Sequence, residues 1–86
     1  MSKKEKLLTI DANNGFEIRD VNNRYLYIPF SIEYAFRTQK YVIVPHSHIE
    51  GILDNVKFFD EFPKLEEFAN EIYRKYLERK NGGGEN

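Results

Sequence analysis

The sequence predicts an α+β protein: a four- to five-stranded antiparallel meander, then a short helix and a long C-terminal amphipathic helix. Three observations predict it. Over roughly the first 45 residues apolar and polar side chains alternate with period two, and Asn-rich turns interrupt them. Residues 63–80 switch to the helical period. Between the two, Ser47 and Glu50 stand at capping-box spacing.

The elements follow in order. Residues 6–11 read as a strand, and Asn13-Asn14-Gly15 as the turn after it, because Asn and Gly tolerate positive φ. Residues 16–21 alternate apolar and polar with period two. Asn22-Asn23 turns the chain, and residues 24–28 form a third strand. In residues 31–38 Ile32, Tyr34 and Phe36 alternate with Glu33, Ala35 and Arg37; this favours a strand over a helix capped by Ser31, with Pro29 at a bend. After a turn at Thr38-Gln39, Tyr41-Val42-Ile43-Val44 is a β-branched, buried strand. Ile49, Ile52, Leu53 and Val56 then fall on one face of a short helix, which Gly51 weakens. The chain breaks after Lys57-Phe58-Phe59, and Pro63 suits a first helical turn.

On the last helix Leu65, Phe68, Ala69, Ile72, Tyr73, Tyr76 and Leu77 cover about half the circumference. Packing on one sheet needs a stripe of only about 100°. The excess points to a second surface, either the short helix or another subunit. Tyr73, Tyr76 and Leu77 are therefore candidates for a homodimer interface. Glu71 and Lys75 form an i,i+4 pair on the solvent side. Residues 1–81 make one domain, and the Gly-rich residues 82–86 read as a flexible tail.

Composition narrows the function classes. Eighty-six residues bury a modest core, and with no cysteine neither disulfides nor thiolate metal sites reinforce it. Thirteen Phe and Tyr supply bulky core material, and a partner chain is the expected further source of stability. No apolar run reaches the roughly 18 to 20 residues of a membrane span, and Leu7-Leu8 is too short for a signal-peptide core, so a cytoplasmic location is expected. Net charge is −1. Residues 1–46 carry seven Lys/Arg against five Asp/Glu, whereas residues 47–86 carry six against nine. The basic excess on the strand half is small beside that of a strong nucleic-acid binder.

His46, His48 and Glu50 are the one metal-like group, but two further ligands are unmarked and a helix N-terminus accounts for the segment. Ser47 between two histidines lacks an orienting third group, and there is no nucleophile elbow, phosphate-binding glycine loop or cysteine nucleophile. No enzyme, metal or cofactor is expected. The sheet carries the stronger signal. With Leu26, Ile28 and Ile18 facing the core, Tyr25, Tyr27, Glu17 and Arg19 face outward, and Arg24, Arg37 and Lys40 lie at strand ends nearby. Rings that stack bases, beside cations that meet phosphates, are what single-stranded nucleic acid needs. The alternative is a protein-interaction module, an inhibitor or assembly factor of cellular or viral origin, using the same surface.

Residues 16–56 also carry a resemblance. Arg19-Asp20-Val21-Asn22-Asn23-Arg24-Tyr25-Leu26, then Ile32-Glu33-Tyr34-Ala35-Phe36 with about two residues inserted, then Lys40-Tyr41-Val42-Ile43-Val44 leading through His48 to Ile49, Ile52 and Leu53, is similar to the positive cofactor four family of transcriptional coactivators. That resemblance implies a four-stranded antiparallel sheet followed by a helix, and a dimer with a channel for single-stranded DNA. It implies that Arg19, Arg24, Arg37 and Lys40 contact phosphate and that Tyr34 and Phe36 stack. Two turn lysines of the family pattern are absent near Asn22, Val21 replaces an aromatic, Tyr41 replaces a glycine, and the last helix runs past the family's end.

Overall fold

The computed structural model describes residues 6–22 and 27–82. Five strands are present: β1 (Leu8–Asp11), β2 (Glu17–Asp20), β3 (Phe30–Ala35), β4 (Lys40–Pro45) and β5 (Lys57–Phe59). One helix, α1 (Phe62–Gly82), follows them. The α+β class and the antiparallel pairing agree with the sequence reading. The strands, however, form two sheets rather than one meander, with β1 paired to β2 and β4 lying between β3 and β5. The predicted strand over residues 24–28 falls mostly outside the described residues. Tyr27 and Ile28, which are described, are not strand.

In the first hairpin the Asp11 carboxylate accepts from the Asn13 amide at 3.0 Å, which closes a 3-10 turn at Ala12–Asn14. Gly15 follows at φ 67°, the left-handed conformation that favours glycine. In the larger sheet, Ile32 opposes Ile43, and Tyr34 opposes Tyr41, which in turn opposes Phe59. Side chains alternate across a sheet. One face therefore presents Phe30, Ile32, Tyr34, Tyr41, Ile43 and Phe59, and the other presents Ser31, Glu33, Val42, Val44 and Phe58.

The helix is the common wall of both sheets. Leu65, Ala69, Ile72, Tyr73 and Tyr76 are buried. The Asn70 amide oxygen accepts from the Leu7 and Leu8 amides at 2.6 and 2.9 Å, and the Tyr73 hydroxyl donates to Asp20 at 2.8 Å; both tie α1 to the first hairpin. On the other side Phe68 packs on Phe59 with ring centroids 5.3 Å apart, and Lys57 stands over the Phe68 ring. The wide stripe is thus filled by two sheets of the same chain. It does not argue for a second subunit.

The short helix expected over residues 49–56 is absent. A single 3-10 turn, Ser47–Ile49, is capped at His46 with no side-chain hydrogen bond, so the Ser47–Glu50 capping box does not form. Gly51 is the cause. Its φ of 89° leaves the helical region, and an added Cβ would lie 3.1 Å from the Arg79 guanidinium, which donates to the Glu50 carbonyl at 2.8 Å. Ile49 and Leu53 still reach the core, because the Ile49 carbonyl accepts from both Ile52 and Leu53 amides and coils the loop inward. Among the described residues no helix is long and apolar enough to cross a membrane.

Candidate functional site

The β3–β4 register sets Tyr34 beside Tyr41, with centroids 5.0 Å apart and rings inclined by 59°. Tyr41 is the hub. Phe16, at the end of the first hairpin, meets it edge-on at 6.1 Å, and Phe62, at the start of α1, lies 5.6 Å away. At the other end Phe36 meets Tyr34 edge-on at 5.0 Å. The result is a row, Phe36–Tyr34–Tyr41, that ends in a triangle of Tyr41, Phe62 and Phe16, with Phe62 and Phe16 6.1 Å apart: five rings drawn from four segments of chain. Phe16, Tyr41 and Phe62 pack on the core with one side. Phe36 is 82 % exposed and projects from the β3–β4 turn.

Backbone geometry at this row is unusual. Among the described residues Phe16 and Gln39 are the non-glycine ones with positive φ, at 59° and 56°. Phe16 is itself a ring of the row, and Gln39 shapes the turn between Phe36 and Tyr41. Bulky side chains seldom adopt this conformation, and such outliers cluster where structure serves binding.

The charges around the row are slightly acidic. Glu17, Glu33, Asp60 and Glu61 stand within two positions of its rings, against Arg37, Lys40 and Lys64. Lys40 bonds to Asp60, and this contact, more than the nearby Lys64, holds the Asp60 carboxyl below its usual range. Arg37 is exposed and makes no ion pair among the described residues.

A second cluster lies elsewhere. His46 follows β4, and its Nδ1 bonds the Tyr27 hydroxyl at 2.7 Å while its Nε2 bonds the Ser31 hydroxyl at 3.0 Å. Both ring nitrogens are satisfied, so the histidine fastens the chain before β3 to the sheet. Among the described residues no three ligating side chains come together for a metal ion.

The residues singled out from the sequence do not gather on one surface. Tyr34 and Phe36 meet in the row, with Arg37 beside them. Tyr27 is half-exposed and bonded to His46, away from the row. Arg19 lies on the outer side of β2 and is held by Glu17 at 2.9 Å. Lys40 is held by Asp60. Arg24 and Tyr25 lie outside the described residues. Of the interface candidates, Tyr73 and Tyr76 are core residues, 0 % and 8 % exposed, and Leu77 is half-buried against the same core. Burial within one chain removes Tyr73 and Tyr76 as an accessible interface, whereas Leu77 keeps part of its surface. Phe16, Tyr41 and Phe62 were not anticipated as site residues, because no local pattern announces a contact between segments so far apart.

Compared with protein-family models, with curated proteins and with solved structures, the chain matches none. The likeness to positive cofactor four rests on the sequence phrases alone.

Proposed function

We propose that the chain is a non-enzymatic binding module that grips a segment of another protein along the aromatic row. The observation that carries this reading is the row itself: five contiguous rings, ending in a Phe36 that the fold leaves 82 % exposed. Leaving such a ring in water forgoes roughly 1.5 to 3 kcal/mol of burial. Aromatic side chains and Arg are also the residues that dominate protein interfaces. The slightly acidic surroundings of the rings support a protein partner over a polyanion, which calls for a positively charged groove.

Selection of random peptides displayed on phage against the immobilised protein tests the reading. Enriched peptides should bind the wild type and lose most of their affinity for Phe36→Ser, a change at an exposed site that leaves folding within about 0.5 kcal/mol. Failure to enrich any Phe36-dependent peptide sinks it.

Single-stranded nucleic acid is a second reading, favoured by the exposed Arg37, without an ion pair among the described residues, beside Phe36 and Tyr34. It requires labelled single strands to bind better than duplex, with a salt slope of about 0.7 per phosphate contact that Arg37→Ala reduces.

A further inference from the structure

We infer that Ser31 is an acylation site: its hydroxyl takes the acyl group of a neutral carboxylic ester whose hydrocarbon chain lies on the outer face of the larger sheet. This goes beyond the binding reading above and does not rest on it, since side chains alternate and that face lies opposite the Tyr34 and Tyr41 rings. Two observations carry it. The first is a chain of hydroxyl, imidazole and phenol. His46 Nε2 bonds the Ser31 hydroxyl at 3.0 Å, and its Nδ1 bonds the Tyr27 hydroxyl at 2.7 Å. A hydroxyl within reach of a base that a third group orients is the arrangement that activates a serine. The serine that meets the imidazole is Ser31, 15 positions away, and not the adjacent Ser47.

The second observation is an apolar strip that begins at this serine. Ser31 opposes Val44, and in the next row of the same face Val42 opposes Phe58. Val42, Val44 and Phe58 lie outside the core cluster, which forms on the other face with the first hairpin and α1. Phe58 is 51 % exposed. Glu33, and Lys40 held by Asp60, flank the strip. An uncharged chain therefore fits along it, with the ester carbonyl at Ser31.

In the reaction the Ser31 Oγ bonds to the carbonyl carbon as the bond from that carbon to the departing alcohol's oxygen breaks. The Ser31 proton passes to His46 Nε2 and from there to the departing oxygen, so the imidazole ends as it began. Tyr27 is a positioning residue. With the Nδ1 proton donated to its hydroxyl, Nε2 keeps a lone pair for the Ser31 proton. A phenol stabilises the imidazolium less than the carboxylate of a hydrolase triad does. Formation and hydrolysis of the serine ester are both slow as a result, and the ester persists.

The test incubates the whole protein with 4-nitrophenyl octanoate or 4-nitrophenyl acetate and locates the acyl group by mass spectrometry. One octanoyl group per chain should appear on Ser31 ahead of the more exposed Ser47, a comparison within the unmutated protein. His46→Asn, checked for folding by circular dichroism, should slow the reaction about 100-fold, the contribution of a general base. Tyr27→Phe should lower the saturating rate about tenfold, leave the half-saturating ester concentration unchanged and populate the other His46 tautomer in nitrogen-15 spectra. Phe58→Ser should slow octanoate about fivefold and leave acetate unchanged. Acylation of Ser47 or lysines ahead of Ser31, or a His46→Asn protein that reacts at the wild-type rate, overturns the proposal. Equal rates for the two esters overturn the hydrocarbon assignment.

Discussion

Tyr73 shows how one residue's meaning changes between sequence and structure. On the helix face it belongs to a stripe too wide for one sheet, which makes it a natural interface candidate. In the fold its ring is wholly buried and its hydroxyl donates to the buried Asp20, whose other oxygen accepts from the Asn22 amide at 2.8 Å. Tyr73→Phe preserves the packing and removes a donor to a buried carboxylate, so it should cost about 1 to 3 kcal/mol in urea denaturation. Tyr73→Glu places a second carboxylate against Asp20 in a dry site, and it should unfold the protein rather than change its association state. Circular dichroism showing a folded Tyr73→Glu protein would contradict this assignment. The same test separates Tyr73 from Phe36, whose replacement should leave the melting curve alone. Burial divides the two, although both are aromatic.

At the scale of elements, the junction between β5 and α1 carries an exposed ion pair with a definite pH signature. Lys40 lowers the Asp60 pKa below 3.8. A carboxyl whose pKa is depressed by folding stabilises the native state above its unfolded value, and loses that contribution as pH falls through the folded value. Melting temperature should therefore drop slightly more steeply below pH 3.8 in the wild type than in Asp60→Asn, and high salt should shrink the difference. Identical acid profiles for the two proteins would show the pair to be inert. Elements were unequally legible in the sequence, for physical reasons. β3 alternates over six residues, β4 is a six-residue run rich in β-branched residues, and α1 repeats its burial at the helical period from Leu65 to Tyr76, so local pattern suffices. β5 has three residues and no room to show a period. The helix over 49–56 fails because Ile49, Ile52 and Leu53 bear the right spacing while Gly51 adopts a conformation that no helix allows. Splitting of the strands into two sheets is a matter of partners, on which alternation along one strand is silent. The aromatic row was hidden for the same reason, since Phe16, Tyr34, Tyr41 and Phe62 meet only once four segments have been placed.

For the molecule as a whole, α1 makes two small sheets into one cooperative unit. The two-stranded sheet could not stand alone, since an isolated hairpin is at best marginally stable without a helix against it. Asn70 anchors the first hairpin by accepting from two backbone amides and donating to the Glu66 carbonyl at 2.9 Å, while Phe68 anchors the larger sheet through Phe59. A hinge between the sheets would uncouple these anchors; a shared core would join them. The core is shared, for Leu8 and Ile10 of β1 sit in one buried cluster with Ile32, Ile43 and Ile49. Asn70→Ala, which strands a buried amide, should cost about 1 to 3 kcal/mol, and Phe68→Ala, which truncates a half-buried ring, up to about 3 kcal/mol. Each lesion touches only one sheet directly. Both should nevertheless move a single transition, with far-UV circular dichroism and the near-UV tyrosine signal tracing the same curve. Because Tyr34 and Tyr41 report on the larger sheet and Tyr73 on the contact with the first hairpin, the near-UV signal samples both sides of α1. A biphasic near-UV trace in Asn70→Ala alone, with the far-UV curve unmoved, would mean that the first hairpin detaches by itself and that the helix holds two independent units.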